Sequence, residues 1–391
     1  MEQKEAGQKI TAYKGFDKNF QCRGFQYEVG KEYKSGKPVN VCRSGFHACT
    51  NPFEVWDYYP VYNSRFAEVE LGGVIDKEDG GSKICSSEIK IKKELTLSDY
   101  IGLCVAWMNN FTKVGDNSAQ IGSSGNYARI GSSGNYARIG SSGDSAQIGS
   151  SGDSAQIGSS GYSAKICSSG DSAKICSSGD SAKIGSSGDY AQIGSSGYSA
   201  KIGSSGNYAQ ICSSGNSAQI GSSGDSAQIG SSGDSARIGS SGYSAKICSS
   251  GDSAQIGSSG NSAQIGSSGD YARIGSSGYS AKICSSGDSA KIGSSGDSAQ
   301  IGSSGDSAKI GSSGYSAKIC SSGYYAVIMC AGAKSKAKAK KGSWITLSEW
   351  EIDGERYVPV YVKTEQVDGV KIKEDTWYEL KDGVFVETTT D

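Results

Sequence analysis

Histidine is nearly missing from this chain: His47 is the only one in 391 residues, and no Cys-x-x-Cys pair accompanies it. That pattern excludes the usual structural zinc sites, and no metal or cofactor is implied. Net charge is missing too, with 39 Lys plus Arg against 40 Asp plus Glu. A dense basic surface for nucleic acid or a dense acidic mimic of it is therefore not expected. The longest apolar stretch, Tyr100 to Met108, is too short to cross a bilayer, which excludes a membrane helix. The opening MEQKEAGQKI has no charged-then-apolar leader, so the expected location is the cytoplasm, and the 12 cysteines are expected to stay reduced thiols. Proline is scarce: three of four (Pro38, Pro52, Pro60) fall near the start, and none falls in the middle. A long central segment without proline can donate backbone hydrogen bonds along its whole length.

What fills that middle is a nine-residue unit such as GSSGDSAQI. Isoleucine recurs from Ile121 to Ile328 in unbroken steps of nine. A flexible Gly/Ser linker has no reason to keep such register, whereas stacked repeats do. Within S-A-[QKR]-I, Ala and Ile fall on one side of a strand and the long polar residue on the other. GSSG with the following Asp, Asn or Tyr supplies the turn, glycine being read as the residue that allows positive φ.

The coil length follows from a longer echo. Cys176, Cys212, Cys248, Cys284 and Cys320 recur every 36 residues, as do Tyr162 and Tyr198, and Tyr243, Tyr279 and Tyr315. Because 36 is a multiple of 18 but not of 27, the expectation is a β-solenoid, β-roll-like, with two nonapeptides per 18-residue coil. Its interior would be a narrow row of Ala and Ile (Ile148, Ile220, Ile256, Ile292) with one inward Ser per strand. At about 4.8 Å per layer, roughly twelve coils give a rod about 55–60 Å long. Same-face cysteines two coils apart would sit about 9.6 Å from one another, beyond disulfide reach. Their alternation with Gly reads as a position that accepts only small residues.

The fold class is thus mainly β, with an α+β N-terminal cap and a small β C-terminal module. The segments are 1–97 (globular), 98–116 (capping helix and connection), 117–330 (solenoid), 331–341 (basic linker) and 342–391 (β module). In the first, FAEVEL and EIKIKKELTL alternate as strands do. Asn51 before Pro52 reads as a helix start, and Ser98 as the cap of a second helix. In the last, Asp353-Gly354 and Asp382-Gly383 mark hairpins. AGAKSKAKAKKG between solenoid and module reads as a solvated connection.

Chemistry is sparse. The nonapeptide length matches that of calcium-binding β-rolls, but Ala146 stands where a ligating Asp is required, so calcium is not expected. Tyrosine is the feature that folding does not explain: Tyr162, Tyr198, Tyr243, Tyr279, Tyr315 and Tyr324 replace Asp or Asn at the turn. Exposed tyrosine suits a protein-binding surface; drift at exposed turn positions is the alternative.

AYKGFDKNFQCRGFQYEVGKEY, SGFHAC, FAEVELGG and GSKICSSEIKI, with the tail GVKIKEDTWYELKDGVFVE, resemble a phage and prophage family of unknown function. The resemblance implies a viral origin, nine-residue repeats between the two ends, and no assigned activity. Separately, Tyr13-Lys14-Gly15, Gly45 to Thr50 and Ser86-Ser87-Glu88-Ile89 resemble the order of the Arg, Ser-Thr-Ser and Glu strands of ADP-ribosyltransferases. That likeness implies catalytic roles for Lys14, His47 and Glu88, although Lys14 replaces the arginine and His47-Ala48-Cys49 the Ser-Thr-Ser strand. Glu88 alone would stabilise an oxocarbenium-like transition state.

The reading that results is a non-enzymatic solenoid that binds a host or phage protein in the infected bacterial cell, such as a host defence component. The alternatives are an ADP-ribosylating first domain with the rod as spacer, and a virion-associated spacer. Homo-oligomers through uncovered strand edges stay open.

Overall fold

The computed structural model describes residues 9–36, 38–41, 43–61, 63–77, 81–109 and 117–389. The leader position through residue 8 and residues 110–116 of the expected connection lie outside them. The chain divides into two compact units, Met1–Gln192 with Ala200–Ser205, and Ile193–Ser199 with Gly206–Asp391.

In the first unit the N-terminal domain is a closed ring of four antiparallel strands. Ile10–Phe16 pairs with Phe46–Cys49 and Arg65–Lys77, and Lys83–Leu95 pairs with both of the latter. Glu32–Lys34 adds to the side of Lys83–Leu95. Closing the ring removes free edges, and Phe16, Val69, Leu71, Ile89 and Ile91 fill its interior. Asn51 caps the helix Pro52–Val55, its side chain accepting the Phe53 amide at 3.0 Å. The longer helix is Leu97–Asn109, and its cap is Thr96 rather than Ser98. Thr96 Oγ1 accepts the Asp99 amide at 3.1 Å and Asp99 Oδ2 accepts the Thr96 amide at 3.2 Å, a reciprocal capping box.

Both units contain solenoid coils of about 18 residues, as the 36-residue echo implied. Each nonapeptide supplies one four-residue strand, and strands eighteen residues apart pair in parallel and in register, Ile139 on Ile157 and Ile148 on Ile166. Strands counted in eighteens from Gln120–Ser123 make the first face; those counted from Arg129–Ser132 make the second. Ile148, Ile220, Ile256 and Ile292 are all buried, as are the alanines two residues before them. A buried Ile contributes roughly 1.5–3 kcal/mol, so a thin core is sufficient when every coil repeats it. The inward serines are buried as well, and several accept the amide of the glycine two residues on, as Ser150 does from Gly152.

The two glycines of each GSSG do different work, and neither supplies positive φ. The second packs against the carbonyl of its equivalent one coil earlier: a Cβ on Gly152, Gly251 or Gly269 would run into Gly134, Gly233 or Gly251. Close approach between coils therefore requires glycine there. The first glycine points outward, and at Gly140, Gly158, Gly239 and Gly257 a Cβ would meet nothing within 4 Å. Cysteine occupies that same slot, and Cys176, Cys212, Cys248 and Cys284 are exposed. At these positions the slot is therefore not restricted to small residues by the chain's own packing. Positive φ falls instead on the residue before Ala, at Tyr127, Ser145, Ser289, Ser298, Ser307, Ser316 and Tyr325. In those turns the amide donates forward, Ser289 to the Asp306 carbonyl, whereas Ser154 donates backward to Asn135.

In the second unit the basic segment read as a linker forms part of another coil. Lys336–Lys338 pairs in parallel with the strand Lys318–Ser321, with Ala337 buried in the isoleucine slot. The alternation of Lys and Ala is a strand pattern: the alanines turn in and the lysines stay out. Two hairpins then end the faces. Trp344–Asp353 continues the second face in parallel and turns at Gly354 into Arg356–Gln366. Trp377–Lys381 adds antiparallel to the first face and turns through Asp382-Gly383, both at positive φ, into Val384–Thr388. Antiparallel ends of this kind block further stacking of coils.

Candidate functional site

The N-terminal domain is laid along the second face rather than only over a terminal strand edge. Met108 lies over Gly149, Trp56 and Ile101 over Gly185, and Val61 over Gly203, each where a Cβ would collide. Cys167, in the same slot, is buried in the same apolar cluster as Cys104 and Tyr100. Asp57 bridges two rim lysines, Lys165 at 2.9 Å and Lys183 at 2.8 Å. Burial works against the charge of Asp57, but the hydrogen bonds from Lys183 and Lys165 prevail and hold its carboxyl below the usual range. Arg129 stacks over the Trp107 ring at 5.3 Å. None of these pairings has a sequence signal, since the partners are more than 100 residues apart for Asp57.

The domain also opens a cleft of about 970 Å³. Lys14, Arg23, Lys34, Arg43, Lys83 and His47 line it, with Phe25, Tyr27, Tyr58 and Tyr59, and among the described residues its one lining carboxylate is Asp57. Lys14 is buried, and its Nζ donates to the His47 carbonyl at 2.8 Å and to Cys22 Sγ at 3.5 Å. Tyr59 donates to the same sulfur at 3.0 Å. Burial lowers the pKa of Lys14, and burial followed by the Lys14 charge lowers that of His47. His47 is therefore neutral at pH 7. The Lys14–Cys22–Tyr59 cluster was not legible in the sequence, because Tyr59 reaches Cys22 from a separate turn.

Of the three residues singled out for catalysis, Lys14 and His47 share this cleft and Glu88 does not line it. Glu88 instead pairs with Lys34 at 3.0 Å and packs beside Gly73. Among the described residues no group of three or more His, Cys, Asp or Glu converges as metal ligands would. No helix among them is long and apolar enough to cross a membrane.

The tyrosines separate by edge. In the second unit Tyr243, Tyr279 and Tyr315 form a row on the turns that follow second-face strands, two coils apart, which is about 9.6 Å. Tyr198 and Tyr324 lie on the turns that follow first-face strands, and Tyr162 belongs to the first unit. All six are exposed, from 37% for Tyr315 to 59% for Tyr279. In some turns Asp or Asn at this position accepts the amide of the next coil, as Asp297 does from Tyr315 and Asp306 from Tyr324, both at 2.7 Å. Tyrosine cannot make that bond.

Residues 10–103 are similar to a family described as a domain of unknown function, DUF7666. The match takes in the closed ring, the cleft and the first half of the helix Leu97–Asn109, and it leaves the solenoid outside. Comparison with curated proteins found no match, and comparison with solved structures found none either. The DUF7666 match thus assigns no chemistry to the cleft.

Proposed function

We propose that this protein is a non-enzymatic binding protein in which the solenoid presents tyrosine rows to a partner protein. One observation carries the reading. Tyrosine at the turn does not supply the side-chain acceptor that Asp or Asn gives the next coil in some turns, and it stays exposed outside the isoleucine core. A large aromatic ring left about half exposed, outside the core, offers its area and hydroxyl to another molecule.

The resemblance of both ends to phage and prophage sequences supports a partner in the bacterial host cytoplasm, and a host defence component fits that setting. ADP-ribosylation receives less support, because Glu88 does not itself line the cleft that holds Lys14 and His47, and its carboxylate is engaged by the cleft residue Lys34. Replacing the six tyrosines (162, 198, 243, 279, 315 and 324) by Asn, a residue the turns already use, should leave the circular dichroism spectrum unchanged. It should abolish retention of the host protein held by the native chain. Undiminished retention, or transfer of label from NAD to host proteins that is lost in Glu88→Gln, would overturn the proposal.

A further inference from the structure

In the first unit the second face shows what it takes to cover it. Glycines 149, 185 and 203 make a floor for Met108, Trp56 and Val61, and the rim lysines 165 and 183 hold a single carboxylate, Asp57. In the second unit the same slots carry Gly239, Gly257, Gly275, Gly293 and Gly311, and among the described residues nothing lies within 4 Å of a Cβ built on any of them. Five glycines in succession are therefore not demanded by the chain's own packing.

The other face of the same unit supplies the control. Its outward slots read Cys212, Gly230, Cys248, Gly266, Cys284, Gly302 and Cys320, so a side chain is taken at every second coil. Both faces come from the same repeat, and only the second face is kept bare. Its rim carries Arg237, Gln255, Arg273, Lys291 and Lys309, all exposed. None of these four cations is ion-paired among the described residues, and no carboxylate occupies an outward strand position between Gln219 and Ser312. The run ends in exposed Val327 and Met329.

From this we infer a second docking surface, independent of the tyrosine rows: the second face from Gly239 to Gly311 receives an acidic, apolar segment of a partner protein. The partner lays large side chains on the glycine floor and sets carboxylates between the rim cations, as Trp56, Val61 and Asp57 do in the first unit. Charge complementarity sets the register along the rim, and the glycine floor admits close approach.

The test uses the full chain with a photoreactive benzoylphenylalanine at Gln255, on the second face, or at Gln264, on the first. The probe is a labelled peptide with the sequence of residues 51–61, NPFEVWDYYPV, which carries the same docking groups. Cross-linking at position 255 should exceed that at 264 by about tenfold, and should fall by about as much in Arg273→Glu/Lys291→Glu or in the Asp57→Asn peptide. High salt should weaken it in the same direction. Equal yields at the two positions, a yield indifferent to charge reversal, or cross-links joining two copies of the chain in place of the peptide would overturn the assignment.

Discussion

Gly251 rests on the carbonyl of Gly233 one coil earlier, so closely that a methyl group on it would stand 2.6 Å from the carbonyl carbon. Six residues on, Gly257 faces open space. Gly251→Ala should therefore force the coils apart and cost about 1–3 kcal/mol, while Gly257→Ala should be near neutral. Denaturant midpoints measured side by side check this, and equal effects would refute the division of labour between the two glycines.

Ile220 and Ile256 are buried in the coil interior, whereas Gln255 points outward. Ile256→Ala should cost about 2–5 kcal/mol, and Ile220→Asp should disrupt the coils around it. Gln255→Ala should change stability by less than about 0.5 kcal/mol. Loss of β signal in circular dichroism, compared across the three variants, gives the answer.

Asp57 ties the N-terminal domain to the second face. Its folded pKa lies below the ordinary 3.8, burial opposing and the two lysine hydrogen bonds prevailing. A depressed carboxyl adds stability above the unfolded pKa, and that contribution is lost as pH falls through the folded value. The melting difference between the native chain and Asp57→Asn, followed by tryptophan fluorescence of Trp56 and Trp107, should be flat between about pH 5 and 8 and shrink below about pH 4. A difference that grows on acidification would contradict the bridge.

The thiols sort by face and burial. Cys176, Cys212, Cys248 and Cys284 are exposed, while Cys49, Cys104, Cys167 and Cys330 are buried. Burial pushes Cys49 and Cys330 up to about 12, which leaves little thiolate at pH 8. Mass-mapped alkylation of the native protein at pH 8 should label the first four and spare the second four. Labelling of Cys167 would mean that the N-terminal domain does not stay on its face.

Much of this fold is legible in the residues, and its limits have physical causes. The 36-residue echo of cysteine and tyrosine gives the coil length because whole coils are the unit that stacks. The role of the second glycine is hidden, since its neighbour is the glycine 18 residues away rather than one in the same turn. The Lys-Ala alternation at 336–339 reads as a charge run until a parallel strand is set beside it. Of the candidate site, the likeness that points to Lys14 and His47 also points to Glu88, which pairs with the cleft residue Lys34 without lining the cleft itself. The glycine floor of the second face shows only when its open space is compared with the covered glycines of the first unit.

Hydroxyl-radical footprinting of the full chain, with and without the host protein it retains, tests the central claim that the solenoid surface does the binding. The account predicts that Tyr243, Tyr279 and Tyr315 lose most of their oxidation in the complex while Tyr58 and Tyr59 at the cleft keep theirs. Protection confined to the cleft, with the three row tyrosines still fully oxidised, would contradict it.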